Sequence, residues 1–271
     1  MVDYSQYKFV KVEKKEKIAL VTLNNPDAMN AIGKPEHAEI ERVWDDLNQD
    51  NEVHAVILTG AGRAFSAGGD IHLMVDGFTN HPIRIPSVSV KHIIVGLINM
   101  RKPIIAAING PCAGLGATIA LHCDVVIASE KARIGDPHIG VGLIPGDGGI
   151  VIWPLLVGMA KAKQYLMTGE MISATEAERI GLITKVVPPE KLMDEAWAWA
   201  KRFANGPQMA LSLTKMLFNK IIEDRINLVF DTTIAYEYHT LNSADHLEAA
   251  KGFLEKRAPK FQNLEGDQWV F

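Results

Sequence analysis

The chain of 271 residues is 48% hydrophobic and 22% charged with a net charge of −4, which excludes disordered, collagen-like and mucin-like chains and any general electrostatic pull toward nucleic acid or anionic lipid. Its two cysteines, Cys112 and Cys123, are too few for a secreted disulfide scaffold and show no metal-type Cys/His spacing, so no metal centre and a reducing, cytoplasmic compartment are expected. The polar N-terminus does not read as a signal or transit segment, and no run of about 18 apolar residues is available to span a bilayer.

In chain order, residues 9–12 and 18–23 are β-rich runs on either side of a lysine-rich turn and predict a hairpin. Ile40, Val43, Trp44 and Leu47 recur at helical spacing and predict a helix over 36–47. Residues 53–58 predict a buried strand, and the strand–helix–strand order implies a right-handed crossover in a parallel sheet. The unit recurs. A glycine turn at 67–70 and a polar stretch over 76–89 precede a helix over 90–99 and a strand over 103–108. A small-residue turn at 110–116 leads into a helix over 117–122 and a strand over 124–128, and a glycine-rich turn at 140–149 opens a helix over 153–157. Beyond Ser173 helices dominate, over 174–181, 192–204, 208–222, 227–242 and 244–257. The expected division is a βα core over 1–195 and a helical C-terminal region over 196–271. Leu228, Phe230, Ile234, Tyr238 and Leu241 need a partner surface, and intrachain packing or a subunit interface would each supply one.

Two small-residue turns follow strands: Ala67-Gly68-Gly69-Asp70 and Gly110-Pro111-Cys112-Ala113-Gly114-Leu115-Gly116. Small residues let the backbone approach a ligand, and two N–H groups aimed at one point make an oxyanion hole. Either turn alone is equally explained by the tightness of the chain reversal. Neither carries a phosphate-loop or dinucleotide fingerprint. His138 and Asp147 lie in an otherwise apolar, glycine-rich stretch, and a carboxylate beside an imidazole fixes its tautomer and raises its basicity. Taken singly, His138 also suits a structural role and Asp147 a helix N-cap. Asp124 reads as a local turn or pairing residue and His122 as a surface or core histidine, both without chemistry.

Four blocks in register carry a resemblance: Phe65-Ser66-Ala67-Gly68-Gly69-Asp70-Ile71, the stretch 102–110, Cys123-Asp124, and Gly142-Leu143-Ile144-Pro145-Gly146-Asp147-Gly148-Gly149. Each resembles a block of the crotonase, or enoyl-CoA hydratase/isomerase, family, and the segments 168–183 and 253–257 extend the match nearly end to end. The resemblance implies an α/β fold, a crotonase-like spiral of ββα units with a helical C-terminal region that assembles trimers, often paired into hexamers. It implies an acyl thioester of coenzyme A as substrate carrier, with no tightly bound cofactor. It places the oxyanion-hole amides on Gly69 and Leu115, and substrate contacts on Ala67, Gly68, Asp70, Gly114, Thr118 and Trp153.

Hydratases of that family carry two glutamates where this chain has Thr118 and His138. The Pro137-His138 and Ile144-Pro145-Gly146-Asp147-Gly148 segments, with Trp153, instead resemble the 6-oxocamphor hydrolase-like C–C hydrolase branch, whose dyad has the same nine-residue separation as His138 and Asp147. Glu237 falls where that branch has a further acid. The leading expectation is an acyl-CoA enzyme working through an enolate, with His138 as base oriented by Asp147. The alternatives are hydrolytic cleavage of a β-diketone without CoA, and a non-catalytic acyl-CoA-binding or assembly subunit. Arg63, Lys102 and Lys256 are candidate partners for CoA phosphates, and Phe78, His81, Ile83 and Ile85 a candidate acyl wall.

Overall fold

The computed structural model describes residues 2–72 and 89–262. The candidate acyl-wall residues Phe78, His81, Ile83 and Ile85 lie outside the described residues. A hairpin opens the chain, β1 (Val10–Lys15) and β2 (Ile18–Leu23), turned by Glu16 and Lys17. Both turn residues have positive φ, the conformation that matches a tight hairpin to strand twist. Helix α1 (Lys34–Gln49) then crosses to β3 (Ala55–Gly60), and α2 (Ser89–Asn99) precedes β4 (Ile104–Ile108). Next come β5 (Cys112–Ala113), α3 (Leu115–Leu121), β6 (Val125–Ser129) and β7 (Arg133–Gly135). A six-stranded sheet has the order β1-β2-β3-β4-β6-β9, parallel from β2 onward, with β9 (Lys185–Val187) at its edge. A second sheet joins β5, β7 and β8 (Ile172–Ser173).

Strand β3 is buried along its whole length because both faces of the sheet are covered. The period-two alternation divides it: Val56 and Leu58 face the larger core with Trp44, Ile94 and Leu97, while Ala55 and Ile57 face a second core. That second core is closed by helix α6 (Leu192–Ala204) through Leu192, Ala196, Ala200 and Ala204. Position 195, the expected division of the chain, therefore falls inside a helix that packs on the sheet.

Several predicted elements change extent. Helix α4 runs over Gly149–Thr168, well beyond 153–157, and its two halves meet at Gly158, whose φ is 74°. The short helix α5 (Ala174–Arg179) is followed by α6 and then by α7 (Gln208–Leu241), one continuous helix where two are expected. Glu223-Asp224-Arg225-Ile226 contains no glycine or proline, and its charged residues are satisfied on a solvated face, so the helix does not break. Helix α8 (Ala244–Leu254) stops short of 257: Lys256 turns to φ 55° and the Arg257 N–H returns to the Gly252 carbonyl. Of the apolar residues expected to need a partner, Phe230 and Ile234 are buried within the chain, whereas Leu228 is exposed.

Candidate active site

Strands β3 and β4 are parallel neighbours, so the turns that follow them emerge at the same end of the sheet. Short pairings then align three segments side by side. Ser66 bridges Cys112, and β5 pairs with β7 in the register Cys112–Ile134 and Ala113–Gly135. The first turn thus lies against the second, and the second against the stretch that leads to His138. Glycine is required where they touch. Gly68 has φ +87°, and a β-carbon on it would sit 2.8 Å from the Ala113 carbonyl oxygen. Gly114 has φ +49°, and a β-carbon there would sit 3.3 Å from Cε1 of the His138 ring.

The first turn is stapled from behind by two asparagines. Buried Asn30 donates through Nδ2 to the carbonyls of Ala61, Ala64 and Phe65, and Asn109 donates to those of Gly60, Gly62 and Ala64. The Ile32–Gly69 bridge uses the Ile32 N–H on the Gly68 carbonyl and leaves the Gly69 amide out of it. Leu115 is the first residue of α3, where a helix has no acceptor for its amide. Neither N–H donates to another group among the described residues.

The acid–imidazole cluster is assembled from three elements. Asp136 follows β7, Asp147 precedes α4, and Glu237 projects from α7. The nine-residue spacing pairs His138 with Asp147, but the structure gives the ring's closest hydrogen bond to Asp136, between Nδ1 and Oδ1. His138 Nε2 lies 3.6 Å from Asp147 Oδ2 and 3.9 Å from Glu237 Oε1. Thr118 Oγ1 donates to Asp147 Oδ1 at 2.9 Å, leaving Asp147 Oδ2 buried without a hydrogen-bond partner. Glu237 is admitted by Gly146: a β-carbon there would be 2.5 Å from the Glu237 side chain.

Burial opposes charge on the imidazole, but Asp136, Asp147 and Glu237 outweigh it and raise its pKa well above the ordinary value. Burial pushes the Asp147 carboxyl up to about 6, with Asp136 adding to the effect and His138, Thr118 and the Gly149 N–H opposing it. Burial likewise pushes Glu237 up to about 8, against the attraction of His138 and with the repulsion of Asp147 and Asp136. At neutral pH the ring is held protonated and Glu237 keeps its proton. Asp147 then offers the deprotonated one of the two carboxyl oxygens that face Nε2. Asp136, His138 and Asp147 bring one donor atom each within 4.8 Å of one another, a grouping not visible as Cys/His spacing. The internal Nδ1–carboxylate bond makes it an acid–base cluster.

The family model for enoyl-CoA hydratase/isomerase matches residues 13–264. The chain belongs to this enoyl-CoA hydratase/isomerase family. It is 39% identical over 251 residues to the short-chain-enoyl-CoA hydratase of Clostridium acetobutylicum, covering 91% of this chain and 94% of that one. It is 34% identical to the 1,2-epoxyphenylacetyl-CoA isomerase of Escherichia coli, covering 90% and 94%. Among solved structures, an enoyl-CoA hydratase/isomerase from Mycobacterium paratuberculosis superposes with a TM-score of 0.85 at 33% identity, covering 92% of this chain and 99% of that one. The fold is the crotonase fold.

Within this enoyl-CoA hydratase/isomerase family frame, the expected site residues separate into two groups. Gly68, Gly114, Thr118, His138 and Asp147 are joined through the contacts above. Ala67 and Gly69 lie in the first turn, half-buried, and Ala67 N–H is held by the Met29 carbonyl. Asp70 is partly exposed and accepts from the His72 N–H. Trp153 is not at the cluster: it is fully buried in the larger core, its ring 5.9 Å from that of Tyr165. It sits one turn into α4, on the face that the helix turns to the core. His122 is a core histidine, its Nδ1–H given to the Thr118 carbonyl, and burial holds its pKa down to about 4.

Asp124 pairs at long range, not locally: its Oδ2 accepts from Lys215 Nζ at 2.7 Å and from the Ile104 N–H at 2.7 Å. Lys102 is engaged at the end of α1, donating to the Leu47 and Asp50 carbonyls, and burial lowers its pKa to about 8. Asp136 in the cluster and Asn30 behind the first turn were not assigned from sequence. Asp136 stands two positions before His138, separated by a proline, which is a signal for a side chain that folds back on its neighbour. Asn30 carries no such signal.

Proposed function

We propose that the protein acts on an acyl-CoA thioester through an enolate, with the Gly69 and Leu115 amides taking the carbonyl oxygen and the His138–Asp147 pair moving the proton. The observation that carries this reading is the 3.6 Å approach of Asp147 Oδ2 to His138 Nε2, with the same ring packed on Gly114 beside the Leu115 amide. In the step proposed, a proton leaves the α-carbon for Asp147 Oδ2. The electrons of the C–H bond pass to the thioester oxygen, where backbone donors stabilise them. Thr118, in place of a family glutamate, orients Asp147, so its identity does not argue for a non-catalytic subunit. Coenzyme A is the substrate carrier in this reading, and no cofactor or metal takes part. No helix among the described residues is long and apolar enough to cross a membrane. Exposed Leu213, Leu217, Ile221 and Leu228 on α7 support assembly as a homotrimer or homohexamer.

The test is hydrogen exchange at the α-carbon of butyryl-CoA in deuterium oxide, read by mass spectrometry, with acetyl-CoA binding followed by calorimetry. Deuterium uptake that requires His138 and Asp147 supports the proposal, and the absence of both uptake and binding overturns it. Glu237 favours a second reading, hydrolytic cleavage of a β-diketone without CoA, because it brings a protonated carboxyl to the same imidazole. There the cluster takes a proton from water, hydroxide adds to one ketone, and the C–C electrons pass to the other carbonyl. Turnover of a cyclic 1,3-diketone with no acyl-CoA binding would select that reading.

A further inference from the structure

The imidazole of His138 is gripped by a residue that neither the nine-residue spacing nor the family glutamates point to. Asp136 Oδ1 bonds ring Nδ1 and lies 3.4 Å from the His138 backbone N–H, so one oxygen faces both the ring and the turn that carries it. Pro137 between them limits the backbone to a narrow range of φ, which keeps the two side chains on the same side. The Asp136 side chain is 1% exposed. Its Oδ2 has no hydrogen-bond partner and rests against the first residue of α4, where a β-carbon on Gly149 would be only 2.3 Å away. A carboxylate at the N-terminus of a long helix meets the positive end of the helix dipole. Asp147 is held differently, by Thr118 and the Gly149 N–H, and does not touch Nδ1.

We propose that Asp136 is a positioning residue: by accepting from Nδ1–H it fixes the rotation of the protonated His138 ring, so that Nε2–H faces Asp147 and Glu237. The proposal deepens the reading of His138 and Asp147 as the proton-moving pair and rests on it. The titratable groups that face the ring come from each element around it: Asp136 after β7, Asp147 before α4 and Glu237 on α7. His246 on α8 is nearby, its Nδ1–H committed to the Val141 carbonyl. An aligned carboxylate partner on the far nitrogen is the recurrent device for orienting a catalytic imidazole, and its loss costs orders of magnitude in rate.

The experiment compares Asp136→Asn with wild type on two readouts. In butyryl-CoA exchange, turnover is expected to fall by about 10²–10⁴-fold while KM stays within a few-fold, since a misoriented ring affects proton transfer and not binding. In histidine-¹⁵N-labelled protein, the His138 Nδ1 resonance is expected to be that of a protonated nitrogen in wild type. In Asp136→Asn it is expected to shift and its titration to move to lower pH. Unchanged exchange and unchanged ring resonances in the variant would overturn the proposal. If the variant does not fold, as urea unfolding would show, the Nδ1-bound proton of wild type decides: a strongly downfield proton resonance supports the bond to Asp136, and one at the position of a solvated imidazolium overturns it. The nitrogen spectra need no substrate, so a failure of the acyl-CoA reading, seen as no exchange by wild type, is distinguishable from a failure of the Asp136 assignment.

Discussion

The two halves of the candidate site are built by different means. The half proposed to bind the anion is backbone: the Gly69 and Leu115 amides sit on two turns whose contact requires glycine at 68 and 114. The half proposed to move the proton is side chains, drawn from the end of β7, the loop before α4 and α7. A backbone half tolerates side-chain change as long as the path of the chain is kept, so a leucine at 115 leaves its amide available. A side-chain half depends on each residue's chemistry and on tertiary packing. It is therefore the half where this chain departs from the hydratases, with Thr118 and His138 in place of two carboxylates.

That contrast predicts the largest effect for the side-chain half. His138→Ala and Asp147→Asn should each reduce α-proton exchange by about 10²–10⁴-fold, the range of general acid–base contributions. Acetyl-CoA affinity by calorimetry should stay within a few-fold, because the backbone half is untouched. A variant that retains more than a tenth of wild-type exchange would remove its residue from the proton path. The backbone half should respond through the path of the chain, with stability and turnover falling together. Gly68→Ala puts a methyl group 2.8 Å from the Ala113 carbonyl oxygen at a φ of +87°, so the two turns must separate. The strain costs about 1–3 kcal/mol in urea unfolding, and misplacement of the anion site should lower turnover by about 10²-fold. If Gly68→Ala matched wild type in both, the contact between the turns would not be what holds the anion site.

The same contrast explains what the sequence disclosed. The turns were legible because their signal is local: runs of small residues directly after apolar strands. The larger strands and helix α6 were legible for the same reason, their periodicity being complete within one segment. Strands β5, β7, β8 and β9 are two or three residues long and have no period to detect, yet β5 and β7 are the elements that bring Gly114 to His138. His138 and Asp147 stand out by residue type and their pairing comes from the resemblance, but the partition of the ring's two nitrogens was not legible, because it depends on which carboxylate the Pro137 turn folds inward. Glu237 lies 99 residues from His138 and is brought in only by α7, whose continuity through Glu223–Ile226 the charge pattern concealed.

Glu237 gives a pH test of how the side-chain half is buried. Its carboxyl is raised from 4.5 to about 8 in the folded protein, so its contribution to stability is complete below about 4.5 and is lost as pH rises through about 8. His138, also raised, has the same sign and is present in both proteins to be compared. Glu237→Gln keeps the shape and removes the ionisation, so its stability relative to wild type should increase between pH 5 and pH 8, by at most about 1.4 kcal/mol per pH unit. Parallel urea midpoints for the two proteins across that window would mean that Glu237 ionises freely and is not held in a buried site.

The smallest effect on activity is expected for a buried pair outside both halves. Lys215 Nζ is bonded to Asp124 Oδ2 and to the Lys102 carbonyl, with its side chain 5% exposed, and joins α7 to the start of β4 and the end of α3. Lys215→Met keeps the apolar stem and removes the charge. Asp124 retains the Ile104 N–H and partial access to solvent, so its loss of a partner is incompletely compensated. Unfolding stability should fall by about 1–3 kcal/mol, while α-proton exchange and its pH dependence remain those of wild type. A change in the pH profile of Lys215→Met would show that the position of α7, and with it Glu237, is transmitted to the cluster from the far end of the helix. The separation between a structural ion pair and a catalytic one would then fail.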